Sequence, residues 1–374
     1  MSGLYIHIPF CKKACHYCDF HFSTNLKQKE KVIDSLLMEI SLREKLLRDL
    51  RPTTLYFGGG TPSILESKYL AKIMQKIIQI TGDHFEEITI ESNPDDLSLN
   101  KLKEIRSMGF NRLSIGIQTF NENLLQYINR AHTREDALRS FEDARHAGFE
   151  NINLDLIYGI PGSTQNDLVN DLVKINELHP EHISIYGMTI EENTVFGRWL
   201  KKGELIKQSE DNEAVLYERI LSFMVEAGYS HYEISNFSLP GYKSRHNSGY
   251  WDLSPYIGIG PGAHSFDGEN RWWNISNNAR YNKLLEEGKA FFEVEEYNPK
   301  DRINEYILTS LRTMEGINTD FLNKKFNHDI NSQSKKVIET YVEGGFLSFN
   351  TGRLSLTRKG KLISDQISSE LFID

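Results

Sequence analysis

Along the first half of the chain, short apolar runs alternate with longer segments in which leucine and isoleucine recur at helical spacing. Leu4–Ile8, Thr54–Phe57, Glu87–Ser92, Arg112–Gly116, Asn151–Leu156 and His182–Tyr186 have the length and pattern of strands. Lys29–Leu50, Glu66–Gln79, Ser98–Met108, Arg134–Ala147 and Thr164–Glu177 read as helices. Pro52 closes the first helix, and Gly109 and Gly148 stand where a left-handed residue ends one. Six strands separated by single helices predict an α/β fold with a parallel sheet and right-handed crossovers. Functional groups in such a sheet collect at the C-terminal strand ends.

The alternation runs on through a helix at Asp211–Ala227 and a strand at Tyr229–Ile234. From about Arg302 it changes. Helices are expected at Arg302–Arg312, Thr319–Phe326 and Ser334–Glu343, then a hairpin turning at Asn350-Thr-Gly352 into Arg353–Leu356. Thr357 caps a last helix, Lys359–Leu371. Three helices and a hairpin make a small α+β, winged-helix-like domain. The expected division is 1–235, 236–300 and 301–374. A winged helix could hold DNA through Arg353, Arg358, Lys359 and Lys361, but a net charge of −9 favours a packing or docking module and argues against nucleic acid and anionic membranes as partners. No apolar run reaches the ~18 residues of a membrane span.

All three cysteines, Cys11, Cys15 and Cys18, fall within eight residues. Buried structural cysteines scatter, and an odd count leaves one thiol over from any disulfide pairing. Free clustered thiols imply a reducing compartment, so a cytoplasmic location is expected. Pro9 ends the preceding strand, which puts the thiols on a loop leaving a strand end. Three chemistries compete. A zinc site would recruit His16, His21 or a distant fourth ligand. A dithiol redox pair has no use for the third cysteine. A 4Fe–4S cluster held by three thiolates keeps one iron open.

Cys11-x3-Cys15-x2-Cys18 directly after a strand, with Tyr17 before the last cysteine, resembles the motif of the radical S-adenosylmethionine (SAM) superfamily. With Tyr5-Ile-His-Ile-Pro-Phe10 in front, it resembles the HemN/HemW branch. That resemblance implies a partial (β/α)6 barrel and a 4Fe–4S cluster on Cys11, Cys15 and Cys18, whose open iron takes the amino and carboxylate groups of SAM. It also implies a C-terminal domain over the substrate entrance. Gly59, Gly60 and Thr61 match the turn that contacts SAM, Glu91 a ribose-binding glutamate, and Tyr5 and Tyr17 further cofactor contacts. Gln118, Arg130 and Asp155 match residues that contact a second SAM in the coproporphyrinogen dehydrogenase. Tyr256–Ser265 resembles a glycine-rich loop closing over SAM, with His264 facing the site or a plain turn, and Trp272-Trp273 lining a substrate mouth or covering the barrel.

Two features depart from the dehydrogenase. Phe20 stands where that enzyme carries a further cysteine, and phenylalanine neither ligates metal nor moves protons. His246-Asn247-Ser248-Gly249-Tyr250-Trp251 matches HNxxYW, a pattern of the heme-binding subgroup. On the resemblance, His246 is a candidate axial ligand, and Asn247, Tyr250 and Trp251 are candidate heme contacts. The residues alone also fit a polar turn and two core aromatics. The implied function is a chaperone that binds heme, 4Fe–4S cluster and SAM and passes heme to an acceptor protein, a membrane-associated one included. The alternative is an oxidoreductase acting on a tetrapyrrole.

Overall fold

The computed structural model describes residues 1–373. Six parallel strands form in the expected order: β1 (Gly3–Ile8), β2 (Thr54–Gly59), β3 (Glu87–Ser92), β4 (Arg112–Gln118), β5 (Ile152–Tyr158) and β6 (His182–Gly187). They alternate with period two. Leu4, Ile6, Ile8, Leu55, Phe57, Ile90, Leu113, Ile115, Leu154 and Ile183 are fully buried in one core with the helices Lys29–Leu42, Ser67–Thr81, Leu99–Ser107, Arg134–His146 and Gln165–Leu178. The opposite faces carry Tyr56, Glu91, Arg112, Ser114, Asn153, Asp155 and Ser184, which line an internal cavity. The barrel therefore has an apolar jacket and a polar bore. A closed eight-fold barrel fills its interior with branched side chains instead.

Two short strands, β7 (Ser230–His231) and β8 (Asn236–Ser238), follow β6, in place of the single strand expected at Tyr229–Ile234. The buried Glu233 occupies the turn between them, accepting from Ser235 N at 2.9 Å. On the far side β9 (Tyr256–Ile259) lies parallel to β1 and leads into β10 (His264–Phe266), β11 (Arg271–Asn274) and β12 (Phe292–Val294), giving one sheet of twelve strands. The stretch Tyr256–Ser265, expected as a closing loop, is thus a strand, a tight turn and a second strand. A Cβ at Gly258 would stand 2.1 Å from the His264 carbonyl oxygen, so glycine there is a demand of strand packing. Fully buried Glu39 holds the turn, accepting from Gly260 N (2.8 Å), Tyr281 OH (2.5 Å) and Arg43 Nε (2.7 Å). Arg43 also breaks the expected helix Lys29–Leu50 into Lys29–Leu42 and Glu44–Leu50.

The C-terminal part has its own core around Ile307, Leu322, Ile330, Leu354 and Ile367. Its three-stranded sheet runs β13 (Ile317–Asn318), β15 (Arg353–Leu356), β14 (Leu347–Asn350), beside helices Pro299–Arg312, Thr319–Phe326 and Lys335–Glu343. The last helix is shorter than expected: Gly360–Ile363 forms a 3-10 turn before Ser364–Leu371. This unit grips the barrel through main-chain bonds from Ile234 N to Arg312 O and from Met314 N to Tyr232 O. Arg358 there ion-pairs with Glu218 of the barrel.

Candidate functional site

A cavity of about 640 Å³ opens at the C-terminal ends of the strands and runs down the bore. The cysteine loop forms one wall. It is pinned by Cys11 N to Ser23 O (3.1 Å), Cys18 N to Cys15 O (3.2 Å), and Asn129 Nδ2 to Ala14 O (2.8 Å). All three cysteines are half-buried, free of disulfides and border the cavity. Burial pushes the Cys11 thiol up to about 12 and Cys18 up to about 11, with neighbouring cysteine charge adding to both.

Thr61 Oγ1 donates to Cys11 Sγ at 3.4 Å, and Arg130 Nη1 to Cys15 Sγ at 3.5 Å. Two of the three sulfurs thus already accept from neighbours. Thr61 and Gly60 are fixed by their own N–H groups, which donate to Phe10 O (2.7 Å) and Ile8 O (2.9 Å). Gly59 has φ +107°, and a Cβ there would lie 2.6 Å from His7 Cε1. The glycine turn is therefore how β2 reaches the cysteine loop at all.

Arg130 is 9% exposed and sends Nη2 to Asn93 Oδ1 (2.6 Å) and Gly116 O (2.7 Å). Gln118 adopts φ +71° at a bulge in β4, a left-handed conformation costing about 1–3 kcal/mol in a non-glycine residue. The missing side chain of Gly116 leaves room for Gln118 and Arg130, since a Cβ there would sit 2.8 Å from Gln118 Nε2. Glu91 accepts from Tyr56 OH at 2.7 Å. Burial lifts its carboxyl to about 7, and the charge of Asp155 adds to that. Asp155 accepts from Asn153 Nδ2 (2.7 Å) and Ser114 Oγ (3.2 Å), and burial raises it too. Tyr17 stands in the cavity wall, packed with Ile128 and Phe196. Phe20 projects at the mouth, 76% exposed.

The structure thus brings Cys11, Cys15, Cys18, Tyr17, Gly59, Gly60, Thr61, Glu91, Gln118, Arg130 and Asp155 to one cavity. Tyr5 lies deeper, its hydroxyl 3.2 Å from His7 Nδ1 and its ring stacked on Tyr56. His264 is exposed beside Trp273, and neither it nor the two tryptophans borders the cavity.

The HNxxYW residues form a helix, Arg245–Trp251, beneath the bore, in place of a turn. Glu87, at the start of β3, anchors it by accepting from Arg245 N and His246 N at 2.9 Å each. His246 is 3% exposed, and both ring nitrogens are engaged, Nδ1 with Thr54 Oγ1 (2.8 Å) and Nε2 with Tyr250 OH (2.9 Å). In this arrangement it offers no lone pair to an iron. Asn247 reaches the cavity, while Trp251 lies under the Arg312 guanidinium, 5.0 Å from its ring.

Sequence reasoning passed over Arg112 and Asn93. Arg112 reads as the first residue of a strand, and its signal was a charge facing inward where neighbouring strands carry Thr89 and Glu91.

Comparison with known proteins agrees with this layout. Residues 5–175 match the Radical SAM superfamily and 297–363 the HemN C-terminal domain. The chain is 35% identical over 373 residues to the heme chaperone HemW of Bacillus subtilis, covering 98% of each. The chain belongs to the HemW family of radical SAM proteins. Lactococcus lactis HemW is 36% identical, with 100% of this chain and 98% of that one covered. The structure of Escherichia coli coproporphyrinogen III oxidase HemN shares the fold, at TM-score 0.86 and 24% identity over 99% of this chain and 90% of that one. Membership of the radical SAM superfamily implies a 4Fe–4S cluster and SAM.

Proposed function

We propose that the protein is a heme chaperone that holds heme and passes it to an acceptor protein, using a cavity that also takes a 4Fe–4S cluster and SAM. What carries the reading is full-length similarity to HemW proteins together with exposed Phe20 beside the thiols. Cys11, Cys15 and Cys18 would hold the cluster. Three free thiols on one loop, facing one cavity, are the donor set it needs. Bound there, the cluster supplies a redox-active centre with an iron position open to SAM. Thr61 and Arg130 donate to two of the sulfurs and steady them as ligands. The Gly59–Gly60 turn lets main chain approach SAM, Glu91 accepts from ribose hydroxyls, and Gln118, Arg130 and Asp155 supply further polar contacts. Tyr17 closes the wall, and Tyr5 supports it from below through His7. Phe20 offers no proton and no ligand, so the mouth presents an apolar face suited to a macrocycle.

Iron ligation by His246, with Asn247, Tyr250 and Trp251 as neighbours, requires the Arg245–Trp251 helix to leave the floor and the Thr54 and Tyr250 bonds to break. Titrating reconstituted protein with heme tests the reading by absorption spectra. Stoichiometric binding is expected, and its absence in the wild type would overturn the chaperone. Normal spectra for His246→Ala would remove only the axial assignment. An anaerobic assay with reductant and coproporphyrinogen III should give no protoporphyrinogen; turnover would promote the oxidoreductase instead.

A further inference from the structure

Arg112 is among the largest fully buried side chains of the protein, 1% exposed, yet it borders the cavity. Its Nε has no hydrogen-bond partner, and among the described residues no hydrogen bond or ion pair engages its guanidinium. Glu91 and Asp155 feel its charge only through space. Arg130 makes a contrast, with three partners for two of its nitrogens. A buried guanidinium that keeps its charge and lacks partners is costly, and the planar fork of donors matches a carboxylate bidentately. Asp155 and Glu91 are not that partner, being committed to Asn153, Ser114 and Tyr56. Burial, with the Arg112 charge adding to it, pushes the His246 imidazole down to about 3.

We propose that Arg112 is the receptor for a carboxylate of the ligand that enters the bore, and that this ligand is the heme, through a propionate. The assignment rests on the chaperone reading above. It gives the cavity two recognition elements: an apolar mouth at Phe20 for the macrocycle and one deep cation for the acid side chain.

Heme and its dimethyl ester, which lacks both carboxylates, distinguish the possibilities when titrated against the cluster-loaded protein, the Arg112→Met and Arg112→Lys variants, and SAM. Wild type should bind heme at least tenfold more tightly than the ester, about 1.4 kcal/mol. Arg112→Met should lose that preference, and Arg112→Lys should keep part of it. Equal binding of the two porphyrins by wild type overturns the inference alone, as does a preference that survives Arg112→Met. Binding of neither porphyrin overturns the chaperone reading and this one with it. Loss of SAM binding in Arg112→Met with the porphyrin preference intact gives the cation to the SAM carboxylate and overturns the assignment. Retained SAM binding in Arg112→Met, with its preference lost, shows an intact bore and supports it.

Discussion

The two ends of the bore are built on opposite principles. At the floor, Glu87, His246, Thr54 and Tyr250 satisfy one another, and both ring nitrogens of His246 are engaged. Around the cavity above, Arg112 Nε, Arg130 Nε and Ser92 Oγ have no hydrogen-bond partner among the described residues, and three half-buried thiols border the cavity, two of them accepting from Thr61 and Arg130. Buried polar groups in native proteins are normally paired. Other buried atoms, Trp251 Nε1 of the floor helix among them, are unpaired too; what sets the upper end apart is that its unpaired groups border a cavity a ligand can fill. By this contrast the HNxxYW helix is held mainly by its own contacts, while the cysteine end borders the cavity.

The contrast breaks most sharply at the thiols. Cys11→Ser, Cys15→Ser or Cys18→Ser should abolish iron and acid-labile sulfide after anaerobic reconstitution while leaving the far-ultraviolet circular dichroism unchanged; a variant that still loads a full cluster would remove that residue from the ligand set. At the floor the effect should appear in folding instead. Glu87→Ala strands two helix N–H groups and should cost about 3 kcal/mol in urea unfolding, with cluster loading intact in the folded fraction.

A pH series sharpens the same comparison, because the two ends titrate with opposite sign. Glu91 rises from 4.5 to about 7 on folding, so between those values the native state keeps a proton that the unfolded chain has released. Its contribution to stability therefore declines as pH climbs through that window, and Glu91→Gln should remove a fall on the order of 3 kcal/mol. His246 falls from 6.5 to about 3, so its contribution is lost as pH drops below 6.5. His246→Asn should remove that acid-side loss; unchanged slopes in both variants would refute the two burial assignments. The smallest effect belongs to Phe20→Ala, which should change stability by less than about 0.5 kcal/mol because the ring is exposed, yet weaken heme binding.

Much of this was legible in the chain. Period-two strands such as Leu4–Ile8 and helices capped by Gly109 and Gly148 announce the barrel, because local backbone rules govern them. The cysteine loop and the Gly59–Thr61 turn were legible because each needs particular residues at fixed spacing. Tertiary context decided the rest. Nothing local says that Glu39 will seize Gly260 and turn a glycine-rich stretch into sheet, or that Arg43 will leave its helix to serve that carboxylate. His246 looks like a ligand in sequence; only the approach of Thr54, 192 residues away, shows it spoken for. Arg112 was missed because its meaning lies in what fails to reach it.

The stacking of Arg312 on Trp251 has a mechanical consequence. The plug beneath the barrel and the first helix of the terminal lobe meet through this pair, and main-chain bonds at Ile234 and Met314 tie the same lobe to the barrel. The floor of the bore is thus fastened to the second hydrophobic core as well as to its own strands, so losing the Arg312 side chain should loosen both sides of that joint at once.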